Sequence, residues 1–185
     1  MRLCVFCGSQ PGAGPSFVNA ATQFGRALAR RGIGLVYGGS SRGLMGTVAG
    51  AVREGGCEVL GVIPRHLLTR EAANLEDDEL HVVDSMHERK ALMAALADGF
   101  VTLPGGFGTL DELFEVLTWA QLGLHTKPIG LLNVNCYFDP LLNLVQHAVA
   151  SGFVPPAGAA LLETHADIEA LLDRLTCRVR EANAR

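Results

Sequence analysis

Six short apolar runs alternate with stretches of helical periodicity along the whole chain, and this alternation restricts the fold more than any other feature. Residues 3–6, 34–37, 59–63, 80–83, 100–103 and 129–133 read as strands. Residues 17–31, 44–54, 86–98, 109–122 and 139–150 carry apolar side chains at helical spacing, and 166–180 closes the chain with a further helix. Gly32 and Gly55 stand where helix C-caps belong. The pattern predicts an α/β chain whose doubly wound, mostly parallel sheet is flanked by helices.

At 185 residues and 49% hydrophobic content the chain has enough apolar material for one substantial core, which predicts a single domain over residues 1–185. A formal net charge of -4 and a pI near 5.8 argue against a nucleic-acid partner and point to a small molecule. No apolar stretch is long enough to span a bilayer, and the apolar run at residues 3–7 is too short for a signal-peptide core, so the expectation is a soluble cytoplasmic protein without a membrane partner. Five cysteines, an odd number in a chain of this size, favour reduced thiols. Cys4 and Cys7 form a C-x-x-C, but three residues apart on a strand they point to opposite faces, which suits packing better than zinc or a disulfide.

Three strands run into glycine-bearing loops: Cys7-Gly8-Ser9, Gly38-Gly39-Ser40-Ser41 and Pro104-Gly105-Gly106. In a doubly wound sheet these loops meet at the carboxyl ends of the strands, where ligands bind. The last belongs to Leu103-Pro104-Gly105-Gly106-Phe107-Gly108-Thr109-Leu110-Asp111-Glu112, in which a glycine-rich turn leads into a helix start and a carboxylate. That is the layout of a phosphate cradle with an acid beside it. The spacing is neither G-x-G-x-x-G nor a Walker A loop, so the cradle suits a mononucleotide or sugar phosphate. A plain strand-to-helix turn is the competing reading.

Thr109-Leu110-Asp111-Glu112 also has capping-box spacing, and spacing alone favours that structural role for Glu112. Yet Asp111, Glu112 and Glu115 put three carboxylates in one stretch, a repulsion that a nearby cation or Arg89 would ease. Arg89 and Lys90 sit early in a helix, where the macrodipole disfavours cations unless an anion is near; a solvated basic pair is the alternative. His87-Glu88 lacks the second histidine of H-E-x-x-H, and the six histidines have no ligand spacing, so no metal is expected. The irregular stretch 65–78, with Thr69-Arg70-Glu71 and Glu76-Asp77-Asp78, reads as a surface loop placed to cover the site.

Pro104-Gly105-Gly106-Phe107-Gly108-Thr109-Leu110-Asp111-Glu112 fits P-G-G-x-G-T-x-x-E, and Met86-His87-Glu88-Arg89-Lys90 fits its companion motif. With Cys7-Gly8-Ser9, Tyr37-Gly38-Gly39, Gly43-Leu44-Met45-Gly46, Thr118-Trp119-Ala120-Gln121-Leu122-Gly123 and the segment from Lys127 to Asn133, the chain resembles the Lonely Guy family of cytokinin-activating phosphoribohydrolases to about Phe153. The resemblance implies a Rossmann-like domain that hydrolyses the N-glycosidic bond of AMP or its N6-modified relatives, without a cofactor, as a homodimer. It makes Arg89 and Glu112 the catalytic pair, and gives Glu71, Lys90, Gly106, Phe107, Gly108, Thr109 and Thr118 to the nucleotide site, with Gly8, Ser9, Gly38, Gly39, Met45, Met86 and Gly105 from the flanking motifs. Many relatives are labelled lysine decarboxylases, a chemistry that needs a Schiff-base lysine and finds no obvious one in Lys90 or Lys127. The loop after Tyr37, often three glycines in the family, is Gly38-Gly39-Ser40 here, which bears on substrate preference more than on reaction class. The rival reading is a noncatalytic carrier of a nucleotide or of molybdenum cofactor, which needs the glycines but not a matched Arg89 and Glu112.

Overall fold

The computed structural model describes residues 1–69 and 78–183. Its strands are β1 (Arg2–Phe6), β2 (Gly34–Tyr37), β3 (Val59–Pro64), β4 (Glu79–Val83), β5 (Gly99–Thr102), β6 (Ile129–Leu132) and β7 (Leu162–His165). The helices are α1 (Pro15–Arg30), α2 (Gly43–Glu54), α3 (Met86–Leu96), α4 (Phe107–Gln121), α5 (Asp139–Ala150), the short α6 (Pro156–Ala159) and α7 (Ile168–Asn183). All seven strands pair in parallel in the order β4-β3-β2-β1-β5-β6-β7. The expected mostly parallel sheet is thus parallel throughout.

The strands between the two edges are buried on nearly every residue, which is why they read as unbroken apolar runs. Side chains alternate between two layers. Leu3, Val5, Leu35 and Val101 pack with α1, α2 and α7, whereas Cys4, Phe6, Val36 and Phe100 pack with α3 and α4. Cys4 and Cys7 fall in opposite layers, and both are free thiols.

Two elements escape the sequence pattern. β7, Leu-Glu-Thr-His, is half-buried along its length, and Glu163 accepts from Arg174 at 3.3 Å and Arg178 at 3.1 Å on α7, so this edge strand shows no apolar run. α6 is a four-residue helix that starts at Pro156 behind Pro155, below the length at which periodicity is readable. Among the described residues no helix is long and apolar enough to cross a membrane.

Strand order reverses direction between β1 and β5, and the loops that leave these two strands pass to opposite faces of the sheet. A crevice opens there at the carboxyl edge, with the α1 loop on one side and the start of α4 on the other.

Candidate active site

Backbone hydrogen bonds tie the loops around the crevice together. The Gly8 N–H donates to Pro104 O at 3.1 Å, and the Gly8 carbonyl accepts from the Leu44 N–H at 3.0 Å, so the loops after β1, β2 and β5 hold one another. Gly105 is wedged between Gly8 and Thr109: a Cβ there would collide with the Thr109 side chain and stand 2.8 Å from Gly8 N. From the far side the Tyr137 hydroxyl donates to the Gly105 carbonyl. Tyr137 is delivered by Asn135 and Cys136, whose φ angles of 51° and 58° lie in the left-handed region that non-glycine residues seldom occupy. The sequence signal for this support is weak: Asn135 is of a type that tolerates the left-handed region, but Cys136 is not.

α4 begins at Phe107, two residues before the predicted start, with Gly106 as its N-cap and no side chain capping it. The first intrahelical bond is Leu110 N–H to Gly106 O at 3.1 Å, so the N–H groups of Phe107, Gly108 and Thr109 have no acceptor within the helix. The space above Gly106 and Gly108 is open. The helix dipole adds partial positive charge at the same point. α3 provides the contrast: Ser85 caps it by accepting from the Glu88 N–H at 3.1 Å, while Glu88 accepts from the Asp84 N–H at 2.9 Å. The capping box therefore lies in the Arg89 motif. The box read at Thr109 to Glu112 does not form, because α4 starts earlier and Glu112 falls in its second turn.

Freed from capping, Glu112 turns inward and is only 9% exposed. Burial drives its carboxyl up to about 7; Arg89 opposes the rise, Asp111 adds to it, Lys90 opposes it and Glu115 adds to it. Arg89 is 8% exposed, so the solvated-pair reading fails. Its Nε donates to Val62 O and its Nη2 to Gly38 O, both at 3.1 Å, pinning the guanidinium under the ends of β2 and β3. Gly38 is required for this arrangement, since a Cβ at that position would overlap the guanidinium and press on Met45 Sδ.

Cys7, Gly8, Ser9, Met45, Met86, Arg89, Gly106, Phe107, Gly108, Thr109 and Glu112 line one cleft of about 250 Å³. Ten of these eleven were named from sequence; Cys7 was read as packing. An adjoining, mainly apolar cavity shares Gly8, Ser9 and Gly106 with the cleft and is walled by Gly105, Phe17, Leu44 and Tyr137. Gly38, whose carbonyl holds Arg89, and Gly39, beside Ile63 and Leu80, do not line either cavity. Thr118 sits outside on the exposed side of α4, its hydroxyl donating to Phe114 O at 2.7 Å. Lys90 does not line the cleft: its ammonium bridges Asp111 and Glu115, each at 3.0 Å. Glu71, and with it most of the covering loop, lies outside the described residues.

The chain has only two lysines. Lys90 is held by two carboxylates, and Lys127 donates to Ala94 O at 2.7 Å at the amino-terminal edge of the sheet, opposite the cleft. Neither presents a free amine where an aldimine would have to form.

A family profile described as "Possible lysine decarboxylase" matches residues 45–175. The chain is 52% identical over 174 residues to a "Probable cytokinin riboside 5'-monophosphate phosphoribohydrolase LOGL9" of Oryza sativa subsp. japonica, covering 94% of this chain and 77% of that protein. It is 51% identical over 174 residues to "Cytokinin riboside 5'-monophosphate phosphoribohydrolase LOG7" of Arabidopsis thaliana, covering 94% and 80%. Among solved structures, the molybdenum cofactor carrier protein of Chlamydomonas reinhardtii aligns with a TM-score of 0.72 at 19% identity over 97% of this chain and 98% of that one. At that identity the likeness shows a shared fold.

Proposed function

The chain belongs to the Lonely Guy family, whose profile carries the lysine decarboxylase description, and from that premise we propose that it is a phosphoribohydrolase. It cleaves the N-glycosidic bond of AMP or of N6-modified, cytokinin-type riboside 5'-monophosphates to give free base and ribose 5-phosphate. The observation that carries this reading is that Glu112 and Arg89, both buried, line one cleft whose rim is the uncapped start of α4.

The 5'-phosphate rests on the N–H groups of Phe107, Gly108 and Thr109, with the Thr109 hydroxyl beside them. Binding energy spent there aligns C1' over Glu112. As the C1'–N bond breaks, its electron pair leaves with the base and the sugar becomes oxocarbenium-like. The Glu112 carboxylate stabilises that charge and takes a proton from the water that adds its oxygen to C1', while the departing base takes up one proton, so that one water is divided between sugar and base. A carboxyl held at about 7 is suited to gaining and losing a proton near neutrality. Arg89, with two donors fixed on backbone carbonyls, holds its remaining N–H groups and its charge against Glu112 and the ribose hydroxyls.

We further assign the active form to a cytoplasmic homodimer. Phe107 is 94% exposed, and Phe114 and Leu122 follow on the same side of α4 with Thr118 between them, an apolar stripe suited to a second copy. In that dimer the exposed Thr118 would face the second copy rather than its own cleft.

Release of free base and ribose 5-phosphate from AMP and from its N6-isopentenyl counterpart tests the reaction and ranks the substrates. Tight binding of both nucleotides with no release would favour a carrier instead.

A further inference from the structure

Two neighbouring residues of α3 meet two neighbouring positions of α4, but the pairs look in different directions. Arg89 and Glu112 line the cleft; Lys90 and Asp111, with Glu115 one turn on, stand outside it. We propose that Lys90 is a positioning residue: its ammonium, bridging Asp111 and Glu115, locks α4 to α3 so that Glu112 stands against Arg89, and it does not touch the substrate. The proposal rests on the hydrolase reading above and deepens it, because the Met-His-Glu-Arg-Lys motif alone gives both cations to the nucleotide.

Lys90 is committed. Its side chain is 10% exposed, and two carboxylates take it at 3.0 Å each. Burial pulls its pKa down, but hydrogen bonds and charge from Asp111 and Glu115 outweigh that and raise it, so it stays an ammonium. A phosphate at the start of α4 would have to compete with both carboxylates for it. The bridge anchors residues 111 and 115, which flank Glu112, so the clamp fixes how far Glu112 reaches toward Arg89.

Among the described residues, the charged and titratable groups around Glu112 are Arg89 and Lys90 from α3, Asp111 and Glu115 from α4, and the thiols of Cys4 and Cys7 from the β1 side. Without Lys90, two carboxylates are left uncompensated beside a third. Glu112 then holds its proton to higher pH and spends less time as the carboxylate that the reaction needs.

The test compares wild type, Lys90→Met, Lys90→Arg and the neutral triple variant Lys90→Met, Asp111→Asn, Glu115→Gln, with AMP as substrate and ribose 5-phosphate as the binding probe. For Lys90→Met the clamp gives a kcat lower by about tenfold, a KM and a ribose 5-phosphate Kd within about twofold of wild type, and an acid limb moved to higher pH. Carbon-13 titration of the Glu112 carboxyl should show the same upward shift, returned to the wild-type value or below in the triple variant. Lys90→Arg, which keeps the charge, should regain most of the kcat. A ribose 5-phosphate Kd weaker by tenfold or more, with the Glu112 titration unmoved, would make Lys90 a phosphate ligand and overturn the proposal. The titration needs no turnover, so a wild type that hydrolyses nothing would reject the hydrolase while leaving the clamp to be judged. If Lys90→Met does not fold, Lys90→Arg and the triple variant carry the same comparison.

Discussion

At the scale of single residues, the burial proposed to fit Glu112 for its chemistry costs stability. An exposed glutamate loses its proton near 4.5, whereas burial holds Glu112 protonated to about 7. The unfolded chain therefore releases this proton first as pH rises, and the native state is penalised progressively from about 4.5 to 7 and fully above that. At roughly 1.4 kcal/mol per unit the penalty is on the order of 3 kcal/mol at pH 8 and small at pH 5. Glutamine keeps the shape without the charge. Glu112→Gln should thus raise the denaturation midpoint at pH 8 and leave it nearly unchanged at pH 5 in paired urea titrations. Equal effects at the two pH values would mean that Glu112 is not buried in charged form.

At the scale of elements, the cleft is held by close approach of backbone. Arg89 reaches its two carbonyls only because residue 38 has no Cβ. Gly38→Ala should push the guanidinium off the β2 end, cost about 1–3 kcal/mol in stability and lower kcat/KM by tenfold or more; circular dichroism melts and steady-state kinetics measure the two separately. A variant with wild-type kinetics would show that Arg89 need not be pinned. Much of this architecture was legible in advance. The buried parallel strands announce themselves as apolar runs, and the glycine loops mark the carboxyl edge where the cleft lies. The start of α4 was misplaced because Gly106 and Gly108 read as loop, and that two-residue error made Glu112 look like a cap. The pairing of Lys90 with Asp111 and Glu115 was only half visible: the three acidic residues signalled a missing cation, but sequence cannot say which face of α3 supplies it. Polar β7 left no signal, because edge exposure is set by tertiary packing, and the left-handed turn before Tyr137 left only the asparagine at 135.

At the scale of the whole molecule, the cleft residues gather at the carboxyl edge of the sheet, while α4 carries both the proposed phosphate-binding start and an exposed apolar stripe. In the proposed homodimer, assembly and catalysis would be coupled through one helix. Phe114→Glu puts a charge in the centre of the stripe, at a position 41% exposed in the single chain; if the proposed homodimer forms through it, wild type should sediment as a dimer and the variant as a monomer with little change in the folded core. Persistence of the dimer would move the interface elsewhere. The most direct test of the account remains chromatographic measurement of free base and ribose 5-phosphate from AMP and its N6-isopentenyl counterpart with wild type and Glu112→Gln near pH 7. The account predicts equimolar release of both products by wild type and a rate lower by about 10²–10⁴-fold in a variant that still binds nucleotide. Equal rates in the two proteins, or binding without release in both, would contradict it.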